Sequence, residues 1–370
     1  MKRELDPLRP KPYTEHWGLC ADSQELAMKA VVFHEHGGPD RLRYEEVEPP
    51  RAASNEVVVR VKACALNHLD IWIRQGIPTY TIPLPHISGC DVAGVIEQVG
   101  GEVSHVRVGD QIFVSPGLSC WHCNLCLAGR DNQCPSYKIL GAQVNGGFAE
   151  FVAVPGRNVT PIPGTLTFEQ AAAFPLVSVT AWHMLFSLAE LRPGEEVLIM
   201  GAGSGVGSMA VQMAKLVGAR VITTVGSDEK SAKAQAIGAD EVINHTSEDV
   251  GKRVRTLTGG RGVDVVIEHI GPQVWDQCLV SLAKGGRLVT CGATTGGEAK
   301  LDLRALFSRQ LTLKGSYMGT RAELLKAAEL FGRGKLKPVV DRVFPLSEAR
   351  LAQEYLLSRK QFGKVVLAVG

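Results

Sequence analysis

No stretch of this chain approaches the roughly 18–20 consecutive apolar residues that a membrane-spanning helix needs, so a membrane partner is not expected. Neither sign of charge dominates: 40 Lys and Arg stand against 38 Asp and Glu, a formal net charge of +2, and no basic block stands out. That balance argues against nucleic acid and anionic membrane surfaces as partners. Residues 1–27 lack the apolar core of a secretory signal; they mix charges with Pro7, Pro10 and Pro12 and read as a disordered or upstream extension. Without a sign of secretion, the nine cysteines are expected in the reducing cytoplasm, where close spacing means metal more often than disulfide. No internal repeat is present.

What is present is an ordinary globular composition, 45% hydrophobic with a mean hydropathy of +0.04. A length of 370 residues predicts two domains, because single cores rarely grow past about 250–300 residues. The fold is expected to begin at Met28-Lys29-Ala30-Val31-Val32-Phe33. From there to about Val154 short β-like runs dominate, among them Val57–Val61 and Val92–Ile96, punctuated by glycine and proline as in a compact β-rich domain.

From about Val177 to Leu313 the texture changes to alternating strands and helices. Strands are predicted at Val197–Met200, Arg220–Thr224, Glu241–Ile243, Val263–Ile267, Arg287–Cys291 and Leu311–Leu313. Helices are predicted at Gly207–Val217, Glu229–Ile237, Val274–Leu282 and Asp302–Phe307. Regular βα alternation implies a doubly wound parallel sheet with its ligand across the strand C-terminal ends. The first of these units breaks at Gly201-Ala202-Gly203-Ser204-Gly205-Val206-Gly207, with a glycine at every second position. Glycines let the backbone turn tightly and approach a pyrophosphate, and the following helix start offers free N–H groups and a positive dipole. Lying between strand and helix, the turn reads as a dinucleotide site.

Cys120-x2-Cys123-x2-Cys126-x7-Cys134 is the strongest chemical signal. Four thiolates on one short lobe can close a tetrahedron around zinc and leave no position for water or substrate, which makes the site structural. Disulfides or free thiols are the alternatives. His122 sits inside the lobe but is surplus to four cysteines.

Further upstream run Asn67-His68-Leu69-Asp70, Gln75-Gly76-Ile77-Pro78 and Ile87-Ser88-Gly89-Cys90-Asp91-Val92-Ala93-Gly94. With the cysteine lobe, the Gly201–Gly207 turn and Gly315-Ser316-Tyr317-Met318-Gly319, they resemble the zinc-containing alcohol dehydrogenase and quinone oxidoreductase group of the medium-chain dehydrogenase/reductase superfamily, over Met28 to Gly370. The resemblance implies an α/β architecture: a Rossmann doubly wound parallel sheet at 177–315, beside a discontinuous β-rich GroES-like domain at 28–176 and 316–370 that carries the structural zinc lobe. It also implies a small-molecule substrate and a homodimer or homotetramer.

Departures from the family pattern bear on the chemistry. Zinc alcohol dehydrogenases hold a catalytic zinc with a Cys, a His followed by Glu, and a second Cys; those positions here are Asn67, Cys90-Asp91 and Leu176. A catalytic zinc needs three protein ligands and an open position, so the structural zinc is expected to be kept and the catalytic one lost, with Cys90 a small buried hydrophobe. Rescue of a weak site by Asp91 or His68 is the alternative. Losing that Lewis acid disfavours alkoxide chemistry, whereas an electron-poor double bond or a quinone delocalises the incoming charge. The Asn-His-x-Asp arrangement resembles the zinc-free quinone and enoyl reductases. Asn67, His68, Asp70 and Tyr80 are accordingly the candidate catalytic residues, with His68 a contact to cofactor phosphate or ribose and Asp70 orienting its loop. Some of these relatives place a tyrosine acid where this chain has Pro78, which leaves Tyr80 or water as the proton donor. Trp72, Tyr80 and Met318 are expected around the substrate.

The second strand of the nucleotide unit bears on which nicotinamide is used. Enzymes that use NAD place an acid near its end to bind ribose hydroxyls; the family position of that acid falls at Val225, followed by Gly226 and Ser227. Ser227 can donate to a 2′-phosphate and Lys230 can supply charge, so NADP(H) is favoured over NAD(H), with Asp228 a helix cap. The resemblance adds Thr180, Gly271, Gly292 and Lys364 as cofactor contacts, Lys364 at the pyrophosphate, to Gly201, Gly203, Ser204, Gly205, Val206 and Gly207 of the turn. Glu268-His269 reads as polar packing near the cleft. The expected function is an NADPH-dependent reductase of quinones or α,β-unsaturated carbonyls. The alternatives are an alcohol/aldehyde dehydrogenase with a modified metal site and a cofactor-binding protein without turnover.

Overall fold

Residues 27–78 and 80–370 are described in this computed structural model; all but Ala27 of the expected N-terminal extension lies outside them. The β-rich unit is organised on strand Glu56–Ala65, whose Val57, Val59 and Val61 are buried. Strands Asp91–Val99 and Phe151–Pro155 pair with it antiparallel. Gly94 sits where the first two pass closely: a Cβ there would lie 2.2 Å from the carbonyl oxygen of Arg60, so only glycine permits the approach. The C-terminal strand Lys364–Ala368 also joins this sheet, placing Val366 opposite Ala65 and Leu367 opposite Cys64. That pairing brings the end of the chain back beside Asn67.

The second unit is a six-stranded parallel sheet. Its spatial order is Glu241–Asn244, Arg220–Val225, Glu196–Ile199, Val263–Glu268, Leu282–Thr290, Thr312–Gly315. The order reverses between Glu196–Ile199 and Val263–Glu268, which opens a crevice at their C-terminal ends. Val197, Leu198 and Ile199 are fully buried, as a strand covered by helices on both faces requires. The predicted strands and helices occur within a few residues of their expected bounds. Leu282–Thr290 begins earlier than expected, and helix Val250–Leu257 was not predicted, since its eight residues offer only Val250, Val254 and Leu257 as an apolar stripe.

Between the units runs a helical stretch, Phe168–Leu188, long and apolar enough by composition to cross a membrane, contrary to the sequence expectation. Its composition has another cause: 67% of its apolar 18-residue window is buried inside the protein, where Phe174 meets Phe113 edge to face and packs tilted against Phe331.

Candidate active site

A cleft of about 1050 Å³ lies at the crevice, lined by both units. The glycine turn forms its floor. Gly201 has φ +67°, and a Cβ on Gly207 would lie 2.1 Å from the Gly201 carbonyl oxygen, so the last glycine of the turn is needed for helix-on-strand contact. Ser204 caps helix Gly205–Leu216, its Oγ accepting from Gly207 N at 2.8 Å. His269 Nε2 lies 2.9 Å from the Met200 carbonyl oxygen and 3.0 Å from Ser204 Oγ. A carbonyl only accepts, so Nε2 carries the proton, and burial lowers the pKa of this ring. Its neighbour Glu268 accepts from Gly271 N at 2.6 Å and Thr290 Oγ1 at 2.8 Å; it builds the turn.

At one end of the cleft strand Arg220–Val225 finishes in Val225, with Gly226, Ser227 and Lys230 on the wall. Asp228 is the first residue of helix Asp228–Ala236 and not its cap; Ser227 holds the cap position, and Asp228 Oδ1 accepts from Asn244 Nδ2 at 2.7 Å. His245, Arg359 and Lys360 complete this wall, and Lys230 Nζ donates to the Arg359 carbonyl at 2.6 Å. Nothing in the sequence flags these three residues: Arg359 and Lys360 lie far along the chain, after the last helix, in no motif.

At the other end stand Thr180, Gly292, His68, Tyr80, Trp72 and Met318. Burial, followed by Arg359 and His269, pushes His68 down to about 4, so its ring is neutral on the cleft wall at neutral pH. Tyr80 Oη lies 2.6 Å from Tyr317 Oη. Burial, then that partner, raises the Tyr80 phenol above its ordinary value.

Two expected cofactor contacts, Gly271 and Lys364, are placed differently. Gly271 lies off the cleft wall, its N–H bound to Glu268. Asp70 is buried and touches backbone only, Oδ2 accepting from Asn67 N at 2.6 Å and Oδ1 from Gly89 N at 3.1 Å; it orients the loop, with burial raising it to about 7. Lys364 lines the cleft, but its ammonium turns away from the glycine turn, donating to Asn67 Oδ1 at 2.6 Å and Asp91 Oδ2 at 2.9 Å. Asn67 Nδ2 in turn donates to Asp91 Oδ2 at 2.8 Å and lies 3.3 Å from Cys90 Sγ. Both ends of the Asn67 amide are thereby engaged inside the protein.

The two metal positions differ. The Sγ atoms of Cys120, Cys123, Cys126 and Cys134 lie within 4.8 Å of one another, with separations of 3.9, 3.9 and 3.5 Å for the bonded pairs. A tetrahedral ZnS4 centre with 2.3 Å bonds has edges of about 3.8 Å, so these residues fit a structural zinc. His122 is exposed and its Nδ1 bonds the Cys120 carbonyl at 2.9 Å. The position of a catalytic zinc does not fit one: Asn67, Cys90 and Leu176 converge there, Leu176 N donating to Asp91 Oδ1 at 2.8 Å, but a leucine offers no donor atom and burial drives the Cys90 thiol up and away from thiolate.

A Rossmann sheet whose switch point carries a glycine turn, facing a β-rich unit across a cleft, is the arrangement of a two-unit nicotinamide-dependent oxidoreductase. Comparison with known proteins gives the family. The zinc-binding dehydrogenase family matches residues 205–333 and the alcohol dehydrogenase GroES-like domain matches residues 53–164. An NAD-dependent alcohol dehydrogenase of Sulfolobus acidocaldarius is 34% identical over 92% of this chain and 100% of its own. Quinone oxidoreductase 1 of Escherichia coli is 33% identical over 91% and 98%. A crystal structure of an NAD-dependent alcohol dehydrogenase superposes with a TM-score of 0.89 at 46% identity, covering 93% of this chain and 100% of that one. This chain belongs to the medium-chain dehydrogenase/reductase superfamily, in its zinc-type alcohol dehydrogenase and quinone oxidoreductase group, and is an NAD(P)-dependent oxidoreductase.

Proposed function

We propose that this chain is an NADPH-dependent reductase of quinones or α,β-unsaturated carbonyls that works without a catalytic zinc. The observation that carries the reading is the donor set where Asn67, Cys90 and Leu176 converge, which falls short of the three ligands a catalytic zinc needs. An acceptor that spreads its own developing charge tolerates that lack; an unactivated alcohol does not. The bound nicotinamide supplies the hydride. The chain supplies position, through Thr180 and the cleft walls, and a proton. The Tyr80 hydroxyl donates to the acceptor, while Tyr317, hydrogen-bonded to it and 46% exposed, refills it from water. Lys230, Arg359 and Lys360 beside Ser227, with Val225 where an acid would repel phosphate, support NADPH over NADH.

The names of the two alcohol dehydrogenase relatives favour a second reading, an alcohol/aldehyde dehydrogenase using substituted ligands. One experiment separates them: NADPH oxidation against quinones, enones, enoyl thioesters and aldehydes, with zinc measured on the same sample. Turnover of quinones or enones with one zinc per chain is the expected result. Two zincs with NAD-linked alcohol oxidation would overturn it, and cofactor binding without turnover of any acceptor would make the chain a binding protein. We also propose a homodimer through the free edge strand Thr312–Gly315, beside which Leu303 and Phe307 are exposed; light scattering tests it.

A further inference from the structure

We propose that the Lys364 ammonium is the resident cation of the position where related enzymes hold their catalytic metal, and that it shuts divalent ions out. This rests on the metal-free reading above and gives it a cause. Lys364 is 4% exposed and Asp91 fully buried. Among the described residues the Lys364 ammonium and the Asp91 carboxylate are the charged groups in direct contact there, with the buried Asp70 carboxyl behind them on Asn67 N. Asp91 Oδ1 accepts from Leu176 N, and Oδ2 from Asn67 Nδ2 and Lys364 Nζ. Asn67 Oδ1 accepts from the same ammonium. A buried carboxylate requires such a partner, and this one is built into the chain.

Two features of the fold hold the lysine there. Leu66 N donates to the Val365 carbonyl at 2.8 Å, fixing the register of the C-terminal strand against the segment that leads into Asn67. Gly205, at the start of the dinucleotide helix, lets the stem pass: a Cβ on it would lie 2.8 Å from Lys364 Cδ. The middle of the glycine turn therefore serves the lysine as well as the cofactor. A dication entering between Asn67, Cys90 and Asp91 would meet the ammonium at contact distance, where repulsion is doubled by its charge and poorly screened by water. Lys364 acts through Asn67 and Asp91 and is a positioning residue.

The test restores the missing donors. In Asn67→Cys/Cys90→His/Leu176→Cys, zinc is counted with Lys364 present, with Lys364→Met added, and with Lys364→Arg added. We expect one zinc per chain with lysine or arginine and two with methionine. A second zinc bound equally well with lysine and with methionine overturns the inference, as does no second zinc in any variant. Should these variants fail to fold, the wild-type chain decides by reductive methylation read by mass spectrometry. Lys364 should stay unmodified while exposed Lys284 reacts; reaction at the rate of Lys284 counts against it. If no acceptor is reduced by NADPH, the proposed function fails while the zinc counts stand.

Discussion

Tyr80 and Tyr317 meet hydroxyl to hydroxyl on the cleft wall at 2.6 Å, although they lie 237 residues apart in the chain. Either oxygen can donate to the other, so one phenol can face the acceptor while its partner faces water. Tyr317 is further braced edge-on by Tyr137, ring centres 5.8 Å apart. Tyr80→Phe should lower kcat for the best acceptor by about 10²-fold, the usual scale for losing a general acid, with little change in the KM for NADPH. Tyr317→Phe should fall between that variant and wild type. Unchanged steady-state rates in both would leave water as the donor.

Gly207→Ala places a methyl 2.1 Å from the Gly201 carbonyl oxygen, which forces the helix away from the strand it packs on. The pyrophosphate-binding N–H groups move with it. NADPH affinity, read by quenching of protein fluorescence, should fall at least tenfold, equivalent to about 1.4 kcal/mol. Gly218→Ala, beyond the end of the same helix, has open space around its Cβ but φ +78°; it should lose some stability and keep cofactor affinity. Equal affinity losses in both would mean that backbone strain, and not the contact with Gly201, governs the site.

The sequence spoke most clearly where a single local cause dominates. Val197–Ile199 is buried on both faces and so reads as an unbroken apolar run; the four cysteines are spaced for one ion; the glycines answer one steric demand at Gly201. It was silent where a residue's role is set by distant register. Lys364 looks like any basic residue near a cofactor until strand pairing lays it against Asn67, 297 positions away. Arg359 and His245 likewise carry no local mark, and Gly271 has the turn geometry of a contact glycine while its N–H is already bound by Glu268.

The cysteine lobe should be separable from catalysis. Its ligands sit on the segment 120–134, outside the cleft wall. Cys123→Ser leaves three thiolates, a geometry that holds zinc more weakly. Zinc should drop below one per chain, and the melting temperature should fall by about 5 °C or more, on the scale of 2–4 °C per kcal/mol for domains of this size. NADPH affinity of the remaining folded protein should match wild type. Loss of cofactor binding in step with zinc would show that the lobe shapes the cleft.

His68 gives a pH dependence whose sign is fixed by its shift. Its pKa falls from 6.5 in the unfolded chain to about 4 in the native one, so between those values the unfolded state binds the extra proton. Stability from this group is therefore complete above about pH 6.5 and is lost as pH falls toward 4. His68→Gln removes the titration. The wild-type-minus-variant difference in unfolding free energy should shrink by about 1–3 kcal/mol from pH 7 to pH 4.5 in urea melts. Asp70, raised to about 7 by burial, works in the opposite direction over part of this range: its native state keeps the proton that the unfolded chain has released, so it stabilises as pH falls. Taking the difference against His68→Gln cancels that contribution, because Asp70 is present in both proteins. A difference that stays flat across the range would mean that His68 is solvated and free to charge, so that a charged ring, and not a neutral one, faces the cleft.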